Sequence, residues 1–207
     1  DGYQDIEGIR TLARRARTSM GARATLLNDH LNVWAETASN PFIEPAVYDA
    51  CNGKVDWDEV KGLPCWLGVD LSSNIDLSFI VAIWRRENGT YIMWAWPFCP
   101  EDNLREREER SQAPYRQWAK KGFITATPGP TIDFRVIEKR IRELHKEHDV
   151  QEVVFDPHMA KEMQNNLMED GLPVVNVNPT RSAILMPGIM ELERALIGKD
   201  IRHGGHP

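Results

Sequence analysis

Two aspartates, Asp70 and Asp156, stand at the ends of apolar runs that read as buried β-strand, Cys65 to Leu71 and Gln151 to Phe155. A third, Asp76, sits at the start of the next apolar run. A carboxylate in apolar surroundings is costly unless something pairs with it, and two carboxylates brought together repel unless a cation lies between them. Hard divalent ions such as Mg²⁺ take oxygen ligands. A pair of such ions, about 3.5–4 Å apart, binds both the attacking and the leaving oxygens of a phosphodiester. That chemistry calls for short carboxylates on rigid strands, and Asp is the short one. The residues alone leave other uses open. Asp70 can cap the Ser72–Asn74 turn, and Asp156, ahead of Pro157, can cap the helix that follows. Asp76 either caps the hairpin or reaches the Asp70 site from the neighbouring strand.

The elements that must position these acids follow from the apolar pattern. Cys65 to Leu71, Leu77 to Arg86 and Thr90 to Phe98 read as three strands. Asn88-Gly89 marks the second connection as a hairpin, so the three form an antiparallel meander. Helix and strand then alternate. Pro100 to Arg110 and Pro114 to Lys121 are charged and helical, Phe123 to Ala126 is a brief strand, and Thr131 to His148 is an amphipathic helix. The strand Gln151 to Phe155, a helix from His158 to Glu169, the strand Pro173 to Val177 and a helix from Ser182 to Ile197 complete the pattern. Meander first and alternation afterwards predicts an α/β fold: a mixed sheet with helices on both faces. Residues 1–63 read as a helical arm or linker. There Ile6, Ile9, Leu12 and Ala13, then Leu26, Leu27, Leu31 and Trp34, recur at helical spacing among several arginines. Residues 64–207 read as the domain.

Composition narrows the classes. The net charge is −6, whereas a module that coats nucleic acid by phosphate neutralisation is basic. Any nucleic-acid chemistry must therefore use an acidic site with basic residues placed locally. Arg105, Arg107, Arg110, Arg116, Lys120 and Lys121 offer that in the charged insert, which reads as a surface helix pair or as a flap touching DNA backbone. Cys51, Cys65 and Cys99 are odd in number and form no C-x-x-C, which argues against a disulfide framework or a zinc site and for a reducing cytosol. No apolar run reaches the roughly 18 residues of a membrane span. The chain starts at Asp1 without a leader and is expected to be a piece of a longer protein. His158, His203 and His206 are weaker metal candidates, and Trp94, Trp96 and Trp118 read as packing residues. "GVDLSS" (Gly68 to Ser73) also resembles the first phosphate loop of the sugar-kinase and actin group, but that fold needs a second glycine-rich phosphate hairpin, absent downstream.

The order of several segments carries a closer resemblance. "LNVWAE" (Leu31 to Glu36) followed by "LPCWLGVDLSSNIDLSFI", then "VVFDPHMAKEMQNNLMEDGLPVVNV" and "ILMPGIMELERALIGKDIRHGGHP", resembles the nuclease domain of tailed-phage or prophage terminase large subunits, the DNA-packaging motors. The resemblance implies a ribonuclease H-like fold and cutting of concatemeric double-stranded DNA by two-metal-ion hydrolysis with Mg²⁺ or Mn²⁺. Carried over by position, it implies that Asp70 and Asp156 are metal ligands and catalytic residues, with Asp76 an additional acid beside the first. It implies a third ligand beyond Pro207, so that residues 64–207 are a truncated domain, and places ATP binding in an upstream part that the arm would join. The implied partners are double-stranded DNA and, in the full-length protein, a portal protein and a small terminase subunit. The implied location is the bacterial host cytoplasm, transiently at the procapsid, with no membrane. Two alternatives stand beside it: an actin- or sugar-kinase-like ATP-binding phosphotransferase, and a non-catalytic docking domain of the motor.

Overall fold

The computed structural model describes residues 6–15, 26, 42–72, 76–111, 113–157 and 160–205. The chain divides into two compact units, Asp1–Ala46 and Val47–Pro207. In the first, the helix predicted by the apolar spacing forms as α1, Ile6–Arg15. The second helix expected there lies, but for Leu26, outside the described residues. A short helix, α2 (Pro45–Asp49), spans the division. The division falls upstream of the expected 63/64 junction. Val55 and Val60 are buried in the core of the second unit, so residues 47–63 fold with the sheet. Acidic residues between these two valines hide the signal in the sequence.

In the second unit β1 (Pro64–Asp70), β2 (Ser78–Arg85) and β3 (Tyr91–Pro100) form the expected antiparallel meander. The Asn-Gly connection closes as read. Asn88 Oδ1 accepts from the Thr90 amide at 3.0 Å, and Gly89 adopts φ +82°, a conformation glycine takes without steric cost. A 3₁₀ turn (Glu101–Asn103) leads to α3 (Leu104–Ser111) and α4 (Tyr115–Lys120). Then come β4 (Thr125–Thr127), α5 (Phe134–Glu147), β5 (Asp149–Phe155), α6 (Lys161–Glu169), β6 (Val174–Asn176), α7 (Ser182–Ile197) and β7 (Ile201–His203).

The sheet runs β4-β3-β2-β1-β5-β6, with β7 also on β3. Among the described residues only the pairings made by β2 are antiparallel. The mixed sheet is the one expected from a meander followed by alternation, and it fits the ribonuclease H-like fold that the resemblance implied. Strand alternation sorts the side chains into two faces. Leu67 and Val69 of β1, Ile80, Ala82 and Trp84 of β2, and Val153 and Phe155 of β5 are buried on one of them. Ile137, Ile141 and Leu144 of α5 and Met163 and Leu167 of α6 pack against that face. Each Val, Leu, Ile, Phe or Met side chain among them contributes about 1.5–3 kcal/mol by leaving water. Leu185 of α7 meets the opposite face.

Two helix starts shift from expectation for local reasons. Asp133 caps α5, its Oδ1 accepting from the Arg135 amide at 3.0 Å, so the helix begins at Phe134 rather than Thr131. α6 begins at Lys161 rather than His158, immediately after Ala160 in the left-handed region at φ +47°. The largest departure is β7, where the sequence reads as a glycine-rich tail. Its three residues pair in parallel with Tyr91–Met93, and the His203 amide donates to the Cys51 carbonyl at 3.1 Å. One apolar residue, Ile201, is too little pattern to reveal a strand.

Candidate functional site

β1 and β5 lie side by side in parallel, with Val69 opposite Phe155. Asp70 and Asp156 follow these two residues, so both acids stand at the carboxyl ends of adjacent strands, one strand spacing of about 4.8 Å apart. Val69 and Phe155 point into the core. Alternation therefore turns Asp70 and Asp156 to the opposite face, where both line one open groove of about 410 Å³. Phe79, Val81, Val154 and Leu185 form apolar walls, and Gly68 adds no side chain to it.

The structural uses of these two acids are met by other residues. In the loop after β1, the Ser72 amide donates to Ser78 Oγ at 2.9 Å, and Ser72 Oγ accepts from the Asp76 amide at 3.1 Å. Among the described residues no hydrogen bond or ion pair falls to the Asp70 carboxylate. Asp156 is not the cap of α6, which starts at Lys161 with Ala160 in the cap position. The buried Gln164 side chain instead donates to the Asp156 main-chain carbonyl at 3.2 Å and ties α6 to the strand end. Sequence reasoning passed over Gln164; its one signal is a polar residue between Met163 and Leu167 on the apolar side of the helix.

Asp76 stands apart from the pair. Its Oδ1 lies 3.0 Å from Arg107 Nη2, and its side chain is 85% exposed. It lines a separate cavity of about 170 Å³ against α3. Two downstream acids, Glu191 and Asp200, are engaged elsewhere. Glu191 accepts from Arg194 and, at 3.0 Å, from the Tyr91 hydroxyl, and these hydrogen bonds pull its carboxyl down to about 2. Asp200 accepts from Arg194 Nη1 at 2.7 Å. Both acids fasten α7 to the β3 edge. His203 is buried, with its ring stacked on Tyr48 at 3.9 Å. Its Nε2 lies 2.9 Å from the Tyr48 carbonyl and its Nδ1 accepts from the Gly205 amide, which makes it a structural residue. His158 and His206 lie outside the described residues. The cysteine thiols are buried, and burial pushes Cys65 up to about 12, so it presents no reactive thiolate. Trp94 and Trp96 pack edge-on or tilted against Trp57 beside the core, as expected of packing residues.

The family model for the terminase large subunit, endonuclease domain, matches residues 4–207. The chain belongs to this family. This terminase nuclease domain is 27% identical over 184 residues to the large terminase subunit of Enterobacteria phage HK97, covering 88% of this chain and 36% of that protein. It is 24% identical over 203 residues to protein YmfN of Escherichia coli K12, covering 94% and 44% respectively. The crystal structure of the HK97 large terminase shares its fold, with a TM-score of 0.73 at 24% identity over 99% of this chain and 42% of that one. The terminase domain thus spans less than half the length of these relatives. Family membership sets aside the actin-like reading of Gly68 to Ser73.

Proposed function

We propose that this domain is the metal-dependent endonuclease of a DNA-packaging terminase, cutting concatemeric double-stranded DNA, with Asp70 and Asp156 as metal ligands. The carrying observation is the parallel register that sets both carboxylates on one groove. The donors suit Mg²⁺ or Mn²⁺: hard carboxylate oxygens on strand ends held by the sheet. Among the described residues no group of three or more His, Cys, Asp and Glu assembles, so Asp70 and Asp156 supply part of a ligand set. Two divalent ions, when bound, supply a deprotonated water and neutralise charge on the phosphoryl oxygens. The chain's own contribution is positional. Asp70 and Asp156 hold negative charge on one groove, Gly68 leaves room for a strand of DNA, and Phe79, Val81 and Leu185 shield one side from water. Contact through the DNA backbone rather than the bases would leave cutting tolerant of sequence.

ATP hydrolysis, the portal protein and the small subunit belong, in this reading, to the longer protein acting in the host cytoplasm. No helix among the described residues is long and apolar enough to cross a membrane. The test, run on the longer protein, is plasmid nicking in Mn²⁺ together with calorimetric Mn²⁺ titration. Asp70→Asn and Asp156→Asn each reduce cutting at least a hundredfold and weaken Mn²⁺ binding, with the circular dichroism spectrum unchanged. Undiminished cutting by both variants overturns the assignment; absence of Mn²⁺ binding by the longer protein favours the docking-domain reading.

A further inference from the structure

The carboxyl ends of β1, β3 and β5 and the start of β2 form one edge of the sheet. Asp70 and Asp156 stand on it. α3 leaves from the same edge, directly after β3 and the 3₁₀ turn. With β2 between them, β3 and β1 are two strand spacings apart, about 10 Å. The basic residues of this segment are not equivalent. Arg105, Arg110 and Arg116 pair with Glu109, Glu106 and Glu108 of the same two helices. Arg107 reaches out of the segment to Asp76. Its guanidinium lies over the Tyr115 ring, 5.8 Å from the centroid, and its side chain is only 17% exposed.

The two partners of this ion pair are therefore held differently. Arg107 is fixed by burial and by the aromatic face, while Asp76 is 85% exposed, and water competes for its side of the pair. A phosphate forms charge-assisted, often bidentate bonds with a guanidinium and can replace a carboxylate so weakly held. The cavity between them, flanked also by Asn103 and by the Glu106–Arg110 ion pair, is the space it would enter. A chain of net charge −6 with two further carboxylates in its groove needs such a fixed cation nearby to receive a polyanion.

We propose that this cavity seats a backbone phosphate of the DNA strand crossing the Asp70–Asp156 groove, bound by Arg107, and that Asp76 is the exchangeable counter-ion that aims Arg107 until the phosphate displaces it. The inference rests on the nuclease reading of the groove. It makes Asp76 a positioning residue rather than a metal ligand.

The experiment is fluorescence anisotropy of a labelled duplex oligonucleotide with Ca²⁺ present, across a salt series, alongside Mn²⁺ calorimetry. Arg107→Ala weakens duplex binding about tenfold and lowers the salt slope by about one. Arg107→Gln, which keeps much of the contact with Tyr115, does the same and serves if the alanine variant does not fold. Asp76→Asn tightens duplex binding about threefold, the scale of one exposed ion pair, and leaves Mn²⁺ affinity unchanged. In the Asp76→Asn, Arg107→Gln double variant the gain disappears. Weakened Mn²⁺ binding by Asp76→Asn overturns the proposal, because Asp76 is then a ligand. A gain that survives without Arg107, or unaltered duplex binding by both Arg107 variants, also overturns it. Failure of the nuclease reading shows separately, as Asp70 and Asp156 variants with parental Mn²⁺ binding.

Discussion

Asp70 and Asp156 stand at neighbouring strand ends, and carboxylates so placed repel each other unless a cation lies between them. Two unit charges about 5 Å apart repel by about 0.8 kcal/mol in water, and among the described residues no cationic side chain is paired with Asp70. Functional sites carry such strain, and substitutions that relieve it stabilise the fold. In metal-free, low-salt buffer, Asp70→Asn is expected to raise unfolding stability by about 0.5–1 kcal/mol, read as a higher urea midpoint. Mn²⁺ should raise the parent's midpoint, since a ligand that binds only the folded state stabilises it, and should leave the variant's nearly unmoved. A variant that is less stable without metal would mean that the Asp70 carboxylate serves the fold. Residue type was the legible part at this scale: short acids at strand ends were identifiable from the chain alone. That Asp76 belongs with Arg107, which follows it by 31 positions, was not, because an ion pair between exposed side chains leaves no periodic trace.

At the scale of elements, strands long enough to show alternation or a clear turn were readable, and short ones were not. β1, β2, β3 and β5 each carry apolar runs, and Asn88-Gly89 announces the hairpin. β7 carries none, yet it ties the chain's last described segment to β3 and to residues 51–53. Its exit is crowded. A Cβ on Gly204 would stand 1.8 Å from the Trp94 ring, a contact that only movement of the indole can relieve. Gly204→Ala is accordingly expected to lower stability by about 1–3 kcal/mol in urea unfolding followed by tryptophan fluorescence. A change below about 0.5 kcal/mol, the scale of ordinary surface substitutions, would show that the β7 connection is not packed as described.

For the whole molecule, charge is the governing quantity. An acidic chain does not gather DNA by a diffuse positive field, so under the proposed function binding depends on cations held at the groove and on a few fixed basic groups. Removing divalent ions with EDTA is expected to weaken duplex binding by at least tenfold, and in Ca²⁺ the salt slope should stay near one to three, each phosphate contact contributing about 0.9. Affinity indifferent to EDTA, or a slope near ten, would point to a broad basic surface instead. The relatives are more than twice as long as the matched region, so the surfaces that recruit other parts of a packaging machine are sought in the longer protein.

The sequence by itself determined the element order, the mixed sheet, the strand-end position of Asp70 and Asp156, and the family, because alternation, turn chemistry and segment order are local properties of a chain. Tertiary structure alone decided which acids meet. Parallel pairing of β1 with β5 set Asp70 beside Asp156 across more than eighty residues, and the same packing turned Asp76 toward α3. It also drew residues 47–63 and 201–203 into the sheet domain, since their contacts are with distant strands and their own patterns are too short to declare them.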